Sequence, residues 1–283
     1  MMRFPLGSVE SGRVGLDSST VGIVAGRAPV LDLYRTGTGS VPVRSRDWPA
    51  GRSGTYREAM GAPYHQFCPV AKAMELLDER WTMLIMRELL TGSRRFNQLR
   101  RGLPTMSPTL LSKRMQQLVR AGLVERTVDA GVVEYVPTAA GQELRPIVEA
   151  IGAWGIRWIG ELGDEDLDPK LLLWDLHRNV DPDLLPDGRT VVAFTFSDVP
   201  GKARHWWLVM TADDIDVCDF NPGYDVAVEV TADLRRMVEI WRGDLAWTDA
   251  LRSGAVQLSG DPGSRRSVPA WFAPSRFAAV PRP

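Results

Sequence analysis

The sequence predicts two folded parts in one chain: a helical module closed by a β-hairpin, then an α+β part with a mostly antiparallel sheet. Three observations carry this expectation. Apolar residues recur at helical spacing between residues 70 and 120. Two β-rich runs, 123–128 and 132–136, flank a short turn at Asp129-Ala130-Gly131. Beyond residue 169, a helix, four strand-like runs, two helices, a last strand and a short helix follow, the pattern of an α+β part with a mostly antiparallel sheet. At 283 residues the chain has room for two modest domains.

Residues 1–62 are rich in Gly, Ser, Pro and Arg without either periodicity, and read as a disordered extension. Met60 offers an alternative translation start. The helical module is expected over 63–160. Val70, Ala73, Met74 and Leu77 form the stripe of a first helix after Pro69. Trp81, Leu84, Ile85 and Leu89 form that of a second, ended at Gly92. Phe96, Leu99 and Leu103 mark a short third, broken by Gly102 and Pro104. A fourth helix opens on Ser107, a good N-cap, with Pro108 in the first helical position, where a missing N–H costs nothing. Leu111, Met115, Leu118 and Val119 are its buried stripe, and Gly122 stops it. After the hairpin, Thr138 opens a last helix with a long apolar face: Leu144, Ile147, Ile151, Trp154 and Trp158. A small helical core cannot cover that face, so a second copy of the chain is expected there.

Residues 161–169 read as an acidic linker, 170–275 as the α+β part and 276–283 as a tail. Strands are expected over 191–196, 206–210, 215–220, 226–230 and 255–258. Helices are expected over 170–179, 234–241 and 248–252, with a short one near Trp271.

Charge is unevenly distributed. Residues 92–127 hold eight basic and one acidic side chains, a net of +7, whereas residues 160–262 hold nine basic and twenty-one acidic, a net of −12. The first block suits a polyanion and the second would be repelled by one. The acidic part is therefore expected away from any nucleic acid, on an outward-pointing linker. No run of 18 apolar residues exists to span a membrane, and the two cysteines form no CxxC pair, so a cytoplasmic protein with no membrane partner is expected. The three histidines sit in no HExxH pair, and neither a GxSxG nor a phosphate-loop pattern occurs. No catalytic residue, cofactor or metal is expected.

Three helices followed by a hairpin make a winged helix, in which the second helix of the helix-turn-helix enters the major groove. On the fourth helix, Thr109, Ser112, Lys113 and Gln116 line up opposite the leucine stripe, with Gln117 beside them. Lysine can donate to guanine, glutamine can pair with adenine, and Ser or Thr can serve either. Arg94, Arg95, Arg100, Arg101, Arg114, Arg120 and the wing residue Arg126 suit phosphates, which give affinity without sequence information. The expected partner is a double-stranded DNA operator.

Cys68-Pro69-Val70, Glu79-Arg80-Trp81-Thr82, Arg95-Phe96-Asn97-Gln98-Leu99-Arg100-Arg101, Leu110-Leu111-Ser112-Lys113-Arg114 and Thr138-Ala139-Ala140-Gly141 together resemble the HxlR-type bacterial winged-helix regulators. Asp78-Glu79-Arg80 departs from the glycines and lysine that the family often carries before its tryptophan. The resemblance implies a homodimer built through terminal helices and a two-fold operator. It also makes Cys68 a candidate redox sensor, beside the plainer reading of a small apolar residue. In the second part, residues 234–243, Trp247-Thr248-Asp249-Ala250-Leu251-Arg252-Ser253-Gly254 and 256–260 resemble the sterol carrier protein fold, which implies an apolar site for a hydrophobic effector. Two alternatives stay open: a second part that is only an assembly surface, and a lipid carrier or enzyme fused to a DNA-binding module.

Overall fold

The helical module is held together by the stripes that the sequence spacing defines. In the computed structural model, which describes residues 62–283, α1 spans Pro69–Leu77, α2 Thr82–Leu90, α3 Phe96–Gly102 and α4 Pro108–Arg120. Ile85, Met86, Leu89, Leu99, Leu111, Met115 and Leu118 meet in one buried cluster. The expectations for residues 1–61, including a start at Met60, lie outside the described residues. Ser107 caps α4 as its side chain accepts from the Leu110 amide at 3.3 Å, and Pro108 occupies the first turn. The wing is an antiparallel pair, β1 (Val124–Asp129) and β2 (Val132–Pro137). Asp129 faces Val132 across Ala130 (φ 46°) and Gly131 (φ 82°). Two positive φ values in a two-residue loop are the turn whose twist matches that of a hairpin. The amide of Tyr135 donates to the Arg94 carbonyl at 2.8 Å and ties the wing to the start of α3. A short α5 (Ala139–Gln142) leads into α6 (Arg145–Trp158).

The second part is a five-stranded sheet with strand order β5-β4-β3-β6-β7. Its strands are β3 Thr190–Phe196, β4 His205–Met210, β5 Ile215–Cys218, β6 Val228–Ala232 and β7 Val256–Gly260. Only the β3/β6 pair is parallel, because the chain leaves β5 and returns on the far side of β3. The helices are α7 (Pro169–His177), α8 (Leu234–Arg242), α9 (Trp247–Ser253) and α10 (Pro262–Trp271). Phe194, Phe196, Trp206, Trp271 and Phe272 fill the space between sheet and helices, so most of the aromatic content of this half goes into packing. The sequence pattern ran β5 too far: it stops at Cys218 and Phe220 is exposed. The last helix is longer than expected, with ten residues capped by the Asp261 side chain on the Ser264 amide.

The two parts do not hang on a spacer. The segment 161–169, expected to be an outward-pointing acidic linker, keeps Glu161, Asp164, Glu165 and Asp166 exposed and is anchored at one point: Arg235 pairs with Asp164 at 2.6 Å and donates to the Leu162 carbonyl at 3.2 Å. Asp164 finds its partner inside the chain, a pairing that composition does not reveal. From there α7 lies against α3, and a buried carboxylate joins α7 to α2. Glu88 on α2 is fully buried. It accepts from Arg87 at 2.8 Å, from Arg178 at 2.8 Å and from the Trp174 indole at 3.2 Å. Burial pushes its carboxyl up, but the Arg178 and Arg87 guanidiniums beside it outweigh burial and hold it below the ordinary carboxylate range. Gly102 makes the close approach possible, since a Cβ there would stand 1.9 Å from a Glu88 oxygen. Arg178 and Arg101 both lie over the Trp174 ring, 5.4 and 5.5 Å from its centroid. The tail after Trp271 also returns to the module: Arg276 pairs with Glu149 at 2.8 Å, and Arg157 donates to the Pro281 carbonyl at 3.2 Å.

Replacing Glu88 by alanine strands the half of this network that stays buried. Glu88→Ala is expected to cost about 3–5 kcal/mol in urea unfolding. A cost below about 1 kcal/mol would mean that the carboxylate is not what holds the two parts together. His177, at the end of α7, stacks on Trp174 with ring centroids 4.0 Å apart, and burial depresses its imidazole to about 4. The folded chain therefore keeps it neutral, while the unfolded chain protonates it below about 6.5. Its contribution is present above that pH and is lost as pH falls from about 6.5 towards 4, by up to about 3 kcal/mol. Stability curves of wild type and His177→Gln, measured against pH, should converge over that window; parallel curves would refute the assignment.

Candidate nucleic-acid interface

The fourth helix is amphipathic in the sense that matters for a groove. Leu111, Met115 and Leu118 are buried under it, so their helical neighbours must point away. Thr109, Ser112, Lys113 and Gln116 are all exposed on that outward face, and Arg120 continues it one turn on. Arg126 stands exposed on β1, and Arg100 is exposed on α3. These seven residues form a polar and cationic surface carried on rigid elements whose other sides are core.

Five other residues expected at this surface have partners inside the chain. Arg101 pairs with Asp216 of β5 at 2.9 Å, which draws it to the second part rather than to a phosphate. Arg114 is half-buried: it donates to Gln117 Oε1 at 2.7 Å and pairs with Glu79 in the turn before α2. That arrangement also takes Gln117 out of the reading face. Arg94 donates to the Leu89 carbonyl at 3.0 Å and is half-buried. Arg95 remains exposed, with a 3.3 Å pairing to Glu134 on the wing. A pair so exposed contributes little and would open readily for a phosphate. The sequence could not place these partners, because the Arg101 and Arg114 acids lie 115 and 35 residues away along the chain.

The expected dimer residues also divide. Leu144 precedes α6 and is buried in the module's own core, so it is not free for a partner. Ile147, Ile151, Trp154 and Trp158 are exposed at 46, 53, 58 and 59 %, in one row along α6. Cys68 is the half-buried N-cap residue of α1, its carbonyl accepting from the Lys72 amide at 3.0 Å; Cys218 is buried, and both are unbridged. Among the described residues, no group of three His, Cys, Asp or Glu side chains could hold a metal ion, and no helix is long and apolar enough to cross a membrane.

Comparison with known proteins meets the chain in this module. The HxlR-like helix-turn-helix family matches residues 76–162. An uncharacterised HTH-type transcriptional regulator of Synechocystis is 38% identical over 95 residues, which cover 32% of this chain and 70% of the relative. YvaP of Bacillus subtilis, likewise described as an uncharacterised HTH-type transcriptional regulator, is 38% identical over 98 residues, 33% of this chain and 91% of the relative. The chain belongs to the HxlR-like helix-turn-helix family. In this HxlR-like chain the match takes in α2 to α6 and the wing, whereas the sheet and α7–α10 lie beyond it.

The geometry separates three kinds of variant. Gln116→Ala and Lys113→Ala should relax preference at one base position at a cost of about 1–3 kcal/mol. Arg100→Ala and Arg126→Ala should weaken all duplexes alike and lower the salt slope by about one unit per lost phosphate contact. Arg101→Ala should leave the salt slope unchanged, because its guanidinium lies over the Trp174 ring as well as pairing with Asp216. Binding titrations on specific and random duplexes across a salt series check all three. Equal losses on both duplexes for Gln116→Ala and Lys113→Ala would remove α4 as the reading helix.

Proposed function

We propose that this chain is a sequence-specific, dimeric DNA-binding transcriptional regulator whose second part answers to a hydrophobic small molecule. One observation carries the reading: the outward face of α4 presents Thr109, Ser112, Lys113 and Gln116 to solvent on a helix whose opposite face is fully used as core. Exposed Arg95, Arg100, Arg120 and Arg126 surround it with positive charge suited to phosphates. The regulators to which the chain is similar support the same reading. Double-stranded DNA is the partner, and α4 is the element for the major groove.

The exposed row on α6 supports the dimer. Four large apolar side chains in line exceed what a lone surface helix needs, and a second copy presenting the same row would cover them. We read the second part as sterol carrier-like, supported by its sheet covered on one side by α8–α10 and by the motifs around Trp247 and Gly254.

Genome-wide binding of the tagged chain followed by footprinting tests the function. The expected footprint has two related half-sites one helical turn apart, about 34–36 Å. Sedimentation tests the assembly: wild type should run as a dimer, and the double variant Ile151→Asp with Trp154→Asp as a folded monomer. A monomeric wild type, or a dimeric double variant, excludes α6 as the interface.

A further inference from the structure

The space between the helical module and the second part is not completely filled. A cavity of 320 Å³ lies where α2 and α6 face α7, α8 and the returning tail. That is at the lower end of the usual size of small-molecule pockets, about 300–1,000 Å³. Leu84, Leu90, Val148 and Ile151 line it from the module, and Trp241 and Phe277 from the second part. Its existence depends on Gly152: a Cβ there would stand 2.4 Å from the Phe277 ring, so only glycine lets the tail cross α6 with that ring in place.

The polar groups in this apolar space are not balanced. Four guanidiniums line it, Arg87, Arg145, Arg178 and Arg276, against two carboxylates, Glu149 and Asp175. Glu88 occupies Arg87 and Arg178, and Glu149 occupies Arg276. Arg145 makes only a 3.4 Å contact with Gln142 and pairs with no acid among the described residues. The indole N–H of Trp241, another lining residue, is buried without an acceptor among the described residues. A buried donor without a partner is costly, and a ligand oxygen would satisfy it.

We propose that this junction cavity binds a small amphipathic anion, an apolar or aromatic body carrying one carboxylate, with its charge on Arg145 and a carboxylate oxygen within reach of the Trp241 N–H. This deepens the ligand-responsive reading above and relocates the site: it lies between the two parts, rather than inside the sheet-and-helix core, where aromatic side chains occupy the interior. The ligand would touch α2 of the DNA module, α6 of the dimer row and the second part at once.

Calorimetry on the full chain with 2-naphthoate, and with 2-naphthalenemethanol as its uncharged counterpart, tests the site. One saturable naphthoate site per chain is expected, at least tenfold tighter than the alcohol. Arg145→Gln changes a half-exposed side chain and should abolish that tenfold preference while leaving the alcohol unaffected. Trp241→Phe should weaken both severalfold, and Gly152→Leu should abolish both by driving Phe277 into the cavity. Absence of saturable naphthoate binding, or binding that Arg145→Gln and Trp241→Phe both leave unchanged, overturns the proposal. Binding of random-sequence duplex DNA is measured on the same samples. DNA binding without naphthoate binding refutes the cavity alone, and naphthoate binding without DNA binding supports the cavity while refuting the DNA-binding reading.

Discussion

The arrangement of the chain depends on one carboxylate with no access to water. Glu88 sits on the buried side of α2, yet its ligands come from three places: Arg87 beside it, Ser93 in the following turn, and Trp174 and Arg178 from α7. A charge at that depth is tolerable only if every oxygen is engaged, and here both are. The requirement fixes several neighbours at once. Residue 102 can be no larger than glycine, α7 must cross α3, and Arg178 must reach back to Thr91, which it does at 2.7 Å. An apolar pair of the same volume could give equal stability but no such register. The ionic form defines one way for the second part to seat on the first.

That seating changes how the charge asymmetry works. A −12 block beside a +7 block looks, in composition, like a part that must be kept away from DNA. The structure instead uses some of the acid locally. Asp216 takes Arg101, and Asp164 takes Arg235. Arg101 is thereby held by the second part, while Arg100, the next residue, stays exposed. Two adjacent arginines that look alike in sequence divide between structure and surface because α3 turns one of them towards α7 and β5.

Much of the fold was legible because it rests on short-range rules. The leucine stripes, the Ser107-Pro108 start, the turn at Ala130-Gly131 and the apolar row on α6 all depend on residues within a few positions of one another. The polar face of α4 was legible for the same reason: once Leu111, Met115 and Leu118 are buried, the facing residues are fixed by helical period. What was not legible is pairing across distance. Trp174 and Arg178 are 86 and 90 residues from Glu88, and nothing local announces them. One signal was available: Glu88 falls three residues after Ile85, on the core side of α2, where an acid needs a partner. Gly152 was a second, a glycine inside a helix where alanine would be favoured unless something comes close. Leu144 was assigned outward because it continues the α6 row in sequence, but it lies in the turn before that helix and closes the module's core.

The junction also constrains how any signal could travel. Arg87 lines the cavity and at the same time donates to Glu88, so the cavity and the buried carboxylate share a side chain. An anion that drew Arg87 away would leave Glu88 with Arg178 as its one cation and with Oε1 unengaged, and the cost of under-compensating a buried charge opposes that route. An anion held by Arg145 costs the clasp nothing and presses instead on α6, whose exposed row meets the second copy in the proposed dimer. The seating at Glu88 would then stay fixed while the angle of α6, and with it the spacing of the two α4 helices, responds. Such a ligand changes operator affinity only to the extent that it binds one α6 arrangement better than another. The coupling is reciprocal, so operator DNA must alter the ligand's affinity by the same factor. With the clasp on one side of the cavity and α6 on the other, such a ligand would act on the geometry of the proposed dimer without loosening the two halves of the chain.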